Sequence, residues 1–230
     1  MDEKKSITQG LTRQTHARLL EVAGEMFAER GFRGATVREI CSRAKVNIAS
    51  VNYHFGGKEA LYAECLTYWL DQMRNAYPPD MGVTPDSTPE QRLHAFIRSF
   101  VFRILDNSRF TWYGKLIARN MVEPTPFLNR CCETSFRPMA HLLAGIIREI
   151  VGTKLDDKQV ELTGLSIVGQ IVFHVHSRPI IDKLFPQLGY EHADLEYLAD
   201  HITQFSLAGL RQLAILNQDK VKVLYDVDGE

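Results

Sequence analysis

A short polar and aromatic stretch, residues 47–54, carries the side chains best suited to contact nucleic-acid bases. It offers Asn47, Ile48, Ser50, Asn52, Tyr53 and His54 within eight positions. Asparagine amides can pair with adenine edges, a serine hydroxyl with either base type, and isoleucine can touch a thymine methyl group. The stretch therefore predicts a surface that reads the major groove of DNA.

Side chains around this stretch are suited to contact phosphates, which would hold such a surface in register. The candidates are Thr36, Arg38, Tyr53, His54 and Lys58. Thr36 and Lys58 stand at predicted helix starts, where unpaired N–H groups and the positive end of the helix dipole favour a phosphate. Gly57 lets the backbone approach closely beside Lys58.

The charge is unevenly distributed, although the 230 residues sum to a formal net charge of −1. Residues 11–58 contain eight Lys/Arg and four Glu, a net charge of +4, whereas residues 59–230 have a net charge of −5. A basic N-terminal fifth joined to an acidic body indicates that only one end meets a polyanion. A hydrophobic content of 45% and a charged content of 24% exclude disorder of the whole chain.

Three helices must position these side chains, and they are predicted over residues 13–30, 36–43 and 47–55. Gly31 ends the first helix. Thr36 and Glu39 predict a capping box at the second, in which the Thr36 hydroxyl accepts from the Glu39 N–H and the Glu39 carboxylate from the Thr36 N–H. After the turn at 44–46, Asn47 caps the third helix. Two short helices joined by a tight turn are the core of a helix-turn-helix.

An apolar set between these helices predicts a small core. Its members are Leu20, Ala23, Phe27, Val37, Ile40, Val46, Val51 and Phe55. Helical periodicity continues to the C-terminal region, without a convincing strand or internal repeat. Further helices are predicted over residues 58–76, 89–105, 108–121, 127–151, 156–177 and 193–216. Residues 77–89 hold four of the nine prolines and form a non-helical connection, and Pro138 should kink or divide its helix. The fold class is therefore all-α.

Other functional classes have little support. The chain has no phosphate-binding glycine loop, Ser/His/Asp set or paired-carboxylate signature, so neither an enzyme nor a cofactor is predicted. His174 and His176 point roughly 200° apart on a helix and cannot share a metal ion. The N-terminus lacks a signal peptide, and Leu165–Val175 is too short and polar to span a membrane. We expect a cytoplasmic protein with no membrane partner.

The four cysteines lie in segments of apolar periodicity. Cys41, Cys65, Cys131 and Cys132 are expected to be buried, reduced thiols. A redox role for the adjacent pair Cys131–Cys132 stays open, because neighbouring cysteines form a disulfide only with strain.

A resemblance to a known family is carried by the string from Phe27 to Leu61. It reads F-A-E-R-G-F-R-G-A-T-V-R-E-I-C-S-R-A-K-V-N-I-A-S-V-N-Y-H-F-G-G-K-E-A-L. With the preceding helix, residues 11–70 closely resemble the DNA-binding domain of TetR-family transcriptional regulators. The resemblance is specific because the F-x-x-x-G-F, A-T-V-R-E-I and H-F-x-x-K-E-x-L motifs occur in fixed register. The V-N-Y-H-F-G-G-K-E variant is similar to the CecR-like branch.

The resemblance implies an all-helical homodimer whose last two long helices form a four-helix interface, with a ligand cavity in the C-terminal domain. The family's DNA contacts fall on Thr36, Arg38, Asn47, Ile48, Ser50, Asn52, Tyr53, His54 and Lys58. Three positions depart from the family pattern: Lys45 replaces the usual turn glycine, Ala49 a common glycine and Asn52 a common tyrosine. The first bears on turn geometry, and the other two on which operator is read.

The expected organisation follows from the motifs and the resemblance. It is a flexible N-terminus at 1–10, a three-helix helix-turn-helix DNA-binding domain at 11–57, a connecting helix at 58–76, a helical effector-binding and dimerisation domain at 77–218, and a flexible tail at 219–230.

Aromatic side chains are dense in the C-terminal domain, which is typical either of an ordinary core or of a cavity for an apolar effector. The candidate cavity residues are Phe96, Phe100, Arg109, Trp112, Tyr113, Phe127, Phe136, Gln170, Phe173 and His174. Small and apolar residues on the last helices indicate close contact with a second copy. The candidate dimer contacts are Gly164, Gly169, Leu198, Ile202, Phe205, Gly209 and Leu213.

The favoured hypothesis is a homodimeric repressor that binds a palindromic operator and is released by a small, largely apolar effector. Two alternatives stay open: a DNA-binding factor that needs no effector, and a small helical enzyme with an incidental helix-turn-helix. The patterns do not separate a repressor from an activator, and they name neither operator nor effector.

Overall fold

Ten α-helices and one π-helical turn form the described part of the chain. The computed structural model describes residues 2–84, 86–106, 116, 119, 125, 127–152 and 155–226, and within these the side chains of 13–216 other than 69. The helices are α1 Asp2–Gly34, α2 Val37–Ala44, α3 Ala49–Phe55, α4 Lys58–Ala76, α5 Pro89–Leu105, α6 Phe127–Cys131, α7 Arg137–Val151, α8 Asp157–His176, α9 Arg178–Leu184 and α10 His192–Asp226. The π-helical turn is Cys132–Phe136. These ranges contain no strand, and the predicted all-α class is confirmed.

The end of α1 depends on Gly31. Its backbone lies at φ 73° and ψ 173°, a region that is essentially restricted to glycine. A Cβ atom at this position would lie 2.6 Å from Nε of Arg119. The helix therefore breaks at Gly31 as predicted, and one more helical turn reaches Gly34 before α2 begins.

The turn between α2 and α3 is built on Lys45. This residue adopts the left-handed conformation, with φ 55° and ψ 44°. Its N–H donates to the carbonyl of Ser42 at 3.2 Å, and the N–H of Val46 donates to the carbonyl of Cys41 at 3.0 Å. These are the two hydrogen bonds of a Schellman motif, which usually contains glycine at this position. Lysine thus keeps the turn geometry at a backbone cost of about 1–2 kcal/mol.

One compact unit contains Met1–Gln72 together with Ser108–Cys132. Its buried side chains include Leu19, Leu20, Ala23, Phe27, Ile40, Val51, Phe55, Leu61, Tyr62, Cys65 and Leu66. Most of the predicted small core is therefore buried, whereas Val37 and Val46 are only half-buried. Because Val51 and Phe55 face inward, α3 has one buried side and one exposed side.

The second compact unit contains Met73–Asn107 together with Glu133–Glu230. In it, α5 packs against α7, α8 and α10. The core includes Leu93, Phe96, Ile97, Val101, Phe102, Leu143, Ile147, Val160, Ile167, Ile171, Leu195, Ala199, Ile202 and Leu210. Two ion pairs also connect these helices: Arg98 of α5 with Glu196 of α10, and Arg92 of α5 with Glu149 of α7.

The chain leaving α4 is anchored by polar contacts within the second unit. The carbonyl of Tyr77 accepts hydrogen bonds from Oγ of Ser99 and from Nε of Arg103, both at 2.7 Å. The Tyr77 hydroxyl donates to the carboxylate of Asp106. Ser99 and Arg103 of α5, together with Asp106 just after it, thus hold Tyr77, the residue that follows α4.

Two helices are longer than predicted. Helix α1 begins at Asp2, although the periodic pattern begins only near residue 13. Helix α10 continues to Asp226 instead of ending near 216. Residues 217–226 contain neither glycine nor proline, so the backbone hydrogen bonds of the helix can continue through this polar segment.

The prolines of the C-terminal region affect its helices in ways that the sequence periodicity predicted only in part. The predicted helix at 127–151 is divided by the π-helical turn, and Pro138 lies in the first turn of α7. Helix α9 was not predicted: Pro179 lies in its first turn, where the missing N–H has no helical partner to lose. The predicted helix at 108–121 lies almost entirely outside the described residues.

The geometry at Gly31 makes a prediction about stability. We expect Gly31→Ala to lower the free energy of unfolding by about 1–3 kcal/mol, because alanine does not readily adopt this backbone region. Chemical denaturation measures the change. Gly145→Ala is the control, since Gly145 is helical and a Cβ atom there would have no neighbour within 4 Å, and it should be neutral or slightly stabilising. Equal effects of the two variants would contradict the prediction.

Candidate nucleic-acid interface

Helix α3 presents its polar and aromatic side chains to solvent. Tyr53 is 79% exposed and Ile48 54% exposed. Asn47 and Asn52 are also exposed, and Ser50 is half-buried. The sequence-predicted base contacts are therefore brought together on and just before one short helix.

Asn47 also has a structural role at the start of α3. Its Oδ1 atom accepts from the N–H of Ala49 at 2.9 Å, and its carbonyl accepts from the N–H of Ser50 at 2.9 Å. The Asn47 side chain therefore caps the turn that leads into α3, whereas Ile48 stands at the N-cap position of the helix itself and makes no side-chain cap hydrogen bond. One side chain thus orients α3 and lies at the edge of its exposed surface.

The start of α2 differs from the predicted capping box in one hydrogen bond. Oγ1 of Thr36 accepts from the N–H of Glu39 at 3.2 Å, as predicted. The Glu39 carboxylate, however, accepts from the Thr36 hydroxyl at 2.6 Å and from Nη1 of Arg30 at 2.8 Å. These contacts lower the pKa of Glu39, the Thr36 hydrogen bond more than Arg30. Both oxygens of the Glu39 carboxylate are thus engaged at the start of α2.

Ion pairs decide which basic residues of this unit retain an uncompensated charge. Arg43 contacts Glu25 at 2.7 Å and Glu29 at 3.6 Å. Arg30 is likewise paired with Glu39. Arg38 and Lys45, by contrast, are exposed and form no ion pair with any residue whose side chain is described.

Lys45 is a candidate phosphate contact that the sequence reasoning did not select. It lies in the turn four residues before the start of α3, and it is exposed. The sequence did contain a signal for this contact: a positively charged residue at a turn position where the family usually has glycine.

His54 and Lys58 contact aromatic rings as well as lying near the exposed surface. The His54 ring is 5.0 Å from that of Tyr53 and 5.9 Å from that of His16. Burial, and then the neighbouring His16, lower the pKa of His54. Nζ of Lys58 lies 4.7 Å above the centre of the Phe32 ring, in a cation–π contact. At neutral pH, therefore, Lys58 supplies a charge to this surface and His54 remains neutral.

The predicted cavity residues do not form one cluster. Phe96 is only 2% exposed within the core of the second unit, and Phe100 and Phe136 are half-buried. Phe127 lies in the first unit, where its ring contacts Phe32 and Tyr62. Arg109, Trp112 and Tyr113 lie outside the described residues.

The remaining cavity candidates lie on α8. Nε2 of Gln170 is 3.3 Å from Oγ of Ser206, Phe173 is exposed, and Nδ1 of His174 is 3.0 Å from the Tyr190 hydroxyl. Burial, more than the nearby Arg178 and His201, lowers the pKa of His174. These polar contacts connect α8 to α10 and to the segment before it.

A groove of about 420 Å³ lies elsewhere in the second unit. It is lined by Met81, Gly82, Val83, Ser87, Glu90, Gln91, His94, Ala95, Thr203 and Leu207. None of these residues was a predicted cavity residue. Half of the lining residues are polar and none is Phe, Tyr or Trp, so the density of aromatic residues in the sequence did not point to the groove.

The predicted dimer contacts separate into surface and core positions. Phe205 is 65% exposed, and a Cβ atom at Gly169 or Gly209 would meet nothing within 4 Å. Leu198 and Leu213 are half-buried. Ile202, in contrast, is buried in the core of its own chain, and a Cβ atom at Gly164 would lie 3.6 Å from Leu143 of α7. Ile202 and Gly164 therefore pack within the chain.

Three of the four cysteines are buried free thiols as predicted, whereas Cys132 is half-buried. Cys41, Cys65 and Cys131 are buried, and burial raises the pKa of each thiol. Within the described ranges, no three or more potential ligands are grouped around a possible metal site. None of the helices in those ranges combines the length and apolar character needed to cross a membrane.

Comparison with known proteins identifies both parts of the chain. Residues 19–65 match the family described as bacterial regulatory proteins, tetR family. Residues 89–210, more than half of the chain, match the C-terminal domain of the HTH-type transcriptional dual regulator CecR. The chain belongs to the TetR family of transcriptional regulators. The N-terminal helices are therefore a TetR-family helix-turn-helix domain, followed by a helical C-terminal domain.

Individual relatives agree with the family. The chain is 27% identical to the HTH-type transcriptional dual regulator CecR of Shigella flexneri over 167 residues, which cover 69% of this chain and 74% of the relative. It is 37% identical to the HTH-type transcriptional repressor KstR2 of Mycobacterium tuberculosis over 92 residues, covering 40% and 45%. The matched family and these relatives are transcriptional regulators, not enzymes.

A solved structure shows the same fold. It is AibR in complex with isovaleryl coenzyme A and operator DNA. The TM-score is 0.61 at 17% identity, covering 83% of this chain and 97% of AibR. At this identity the likeness establishes the fold alone.

The environment of His54 predicts a pH dependence of stability in this TetR-family protein. Because its pKa is lowered in the folded state, the unfolded chain binds the proton more tightly. His54 therefore costs no stability above its unfolded pKa of about 6.5, and stability is lost as the pH falls from there through the folded pKa. We expect His54→Gln to lose less stability than the wild type between pH 7.5 and 5.5, measured by denaturation. Parallel curves would contradict this assignment.

Proposed function

We propose that the protein is a homodimeric repressor that binds a palindromic operator through its helix-turn-helix and is released by a small, largely apolar effector. The observation that carries the proposal is the two-sided character of α3. Val51 and Phe55 are buried, while Asn52 and Tyr53 are exposed. A seven-residue helix anchored on one side and polar on the other fits the major groove.

The proposed DNA contacts divide into base and phosphate contacts. Asn47, Ile48, Ser50 and Asn52 would contact base edges, with Ile48 touching a thymine methyl group. Thr36, Arg38, Tyr53, His54 and Lys58 would contact phosphates, and Lys45 is added to this set because it is exposed and has no ionic partner among the described side chains. Arg38, Lys45 and Lys58 would carry the electrostatic part of the affinity, since His54 is neutral at neutral pH.

Dimerisation is proposed from the apolar surfaces of α8 and α10. On α8, Leu162, Leu165 and Phe173 are exposed beside the open Gly169. On α10, Phe205 and Leu216 are exposed beside the open Gly209. Neither surface is buried by the described part of its own chain, and a second copy would cover both sets. A dimer would also supply two recognition helices, as a palindrome requires.

Release by an effector is proposed from the family and from the space available in the second unit. The 420 Å³ groove falls within the usual volume of small-molecule sites, and Met81, Val83, Ala95 and Leu207 give it apolar walls. AibR was crystallised with isovaleryl coenzyme A and operator DNA, so a ligand with an acyl group is a reasonable first class to test. The effector would shift the equilibrium between two states only by its difference in affinity for them. Helix α4 would be the lever, because Tyr77 anchors the chain at its end.

A DNA-binding factor without an effector is the second candidate. The packing of Phe96 in the core favours it, since a residue proposed to line a cavity is fully covered by protein. Genomic footprinting with the purified protein would identify the operator. A screen of acyl compounds for release from that operator would then separate the two candidates.

The phosphate contacts predict distinct salt dependences of operator binding. We expect Lys58→Met to reduce the slope of log K against log [salt] by about 0.9, because one phosphate contact is lost. His54→Gln should leave this slope unchanged at pH 7.5, since His54 is neutral there. Lys183→Met, which removes a charge from exposed α9, is the matched control. An unchanged slope in Lys58→Met would remove Lys58 from the interface.

Substitution of Tyr53 should lower the affinity for the operator although the charge of the protein is unchanged. Removing its ring and hydroxyl in Tyr53→Ala should weaken operator binding about tenfold, whereas Tyr53→Phe separates the hydrogen bond from the packing of the ring. Fluorescence anisotropy with a labelled operator duplex measures both. Wild-type affinity in Tyr53→Ala would show that this side chain is not at the interface.

Placing a charge in the proposed dimer surface should change the molecular mass of the protein in solution. Phe205→Glu places a charge in the middle of the proposed interface and should convert the dimer to a monomer at micromolar concentration. The neighbouring Gln204→Glu introduces a charge at an exposed position further from the apolar face, and it should remain dimeric. Sedimentation velocity distinguishes the outcomes. A monomeric wild-type protein would overturn the dimer proposal itself.

A further inference from the structure

The DNA-binding unit includes a segment that is distant in sequence. Ser108–Cys132 belongs to the same compact unit as Met1–Gln72, and α6 lies at the end of this segment. The ring of Phe127, the first residue of α6, is 5.8 Å from that of Phe32 and 5.4 Å from that of Tyr62. A side chain beyond α5 therefore packs against the helices of the DNA-binding domain.

Four rings form a continuous aromatic cluster: Phe27, Phe32, Tyr62 and Phe127. Tyr62 joins them, with its ring 4.8 Å from Phe27 and 5.0 Å from Phe32. Phe27 and Tyr62 are buried, which fixes the inner side of the cluster. Phe32 and Phe127 are half-buried and form its outer side.

Lys58 rests on the outer side of this cluster. Its Nζ atom lies 4.7 Å from the centre of the Phe32 ring. Phe127 meets the same ring at an interplanar angle of 63°. Phe127 and Lys58 therefore contact the same Phe32 ring, which also meets the rings of Phe27 and Tyr62 on its inner side.

A second contact holds the same segment against α1. The guanidinium of Arg119 covers Gly31, and its Nη1 atom donates to the carbonyl of Glu29 at 3.4 Å. A cation at the C-terminal end of a helix is also electrostatically favourable. Phe127 thus contacts Phe32, just after the break in α1, and Arg119 contacts Glu29 and Gly31 at the break itself.

We infer that Phe127 is a positioning residue for DNA binding, which holds the Phe32 ring and through it the Lys58 ammonium where this group meets a phosphate. The inference rests on the proposed function.

The test is a double-mutant cycle on the salt dependence of operator binding. The proteins are the wild type, Phe127→Leu, Lys58→Met and the double variant, each measured with the operator duplex recovered by footprinting. Phe127→Leu should weaken binding about two- to fivefold and reduce the salt slope by up to about 0.9, although Phe127 has no charge. In the Lys58→Met background, Phe127→Leu should have no further effect.

Two further variants separate positioning from loss of fold. Phe127→Tyr keeps the ring and should retain the wild-type slope. Phe32→Leu removes the ring beneath Lys58 and should reproduce the slope of Phe127→Leu. Phe185→Leu, the same substitution at an exposed residue after α9, is the control, and thermal unfolding of every variant reports the folded fraction.

The outcomes distinguish this inference from the proposed function. A wild-type protein without salt-dependent DNA binding would overturn the proposed function. A wild-type slope in a folded Phe127→Leu, or additive losses in the double variant, would overturn the inference alone. A reduced slope in Phe127→Leu that disappears in the Lys58→Met background would support it.

Discussion

Burial of Val51 and Phe55 is the constraint on which the N-terminal surface depends. A helix of seven residues has too few internal hydrogen bonds to be stable by itself in water, so α3 forms because two of its side chains complete a core. Phe55 also stacks on the His16 ring at 4.6 Å, which connects α3 directly to α1. Once these contacts exist, helical geometry directs Asn52 and Tyr53 outward.

The N-terminal unit was largely predictable because local rules determine its boundaries. Gly31 and Asn47 act within one helical turn, and each ends or begins a helix where the sequence predicts it. The ion pairs were not predictable in the same way, since Arg43 meets Glu25 and Glu29 across two helices. A count of charges gives the sign of the surface, but only the folded chain shows that Arg38 and Lys45 remain exposed.

The C-terminal unit was predicted less completely, because periodicity and composition do not identify partners. Aromatic density grouped Phe96, Phe127 and Phe173, yet the first is in the core, the second in the other unit and the third on the surface. The sequence pattern placed Ile202 and Phe205 on the same apolar stripe of α10. In the structure, Ile202 is buried in the core of its own chain, whereas Phe205 is exposed. Helix α9 was not predicted because a proline such as Pro179 favours the end of a preceding helix and fits equally well in the first turn of a following one.

The π-helical turn at Cys132–Phe136 has a consequence for chain length. Such a turn accommodates one extra residue within an otherwise continuous helix. Deleting a single amino acid there would remove the extra residue and restore ordinary α-helical winding, so the side chains before and after the turn would keep nearly the same helical phase. A one-residue deletion inside α7, by contrast, would rotate every following side chain of that helix by about 100°, so Cys132–Phe136 is the place in this stretch where a change of length disturbs the helix least.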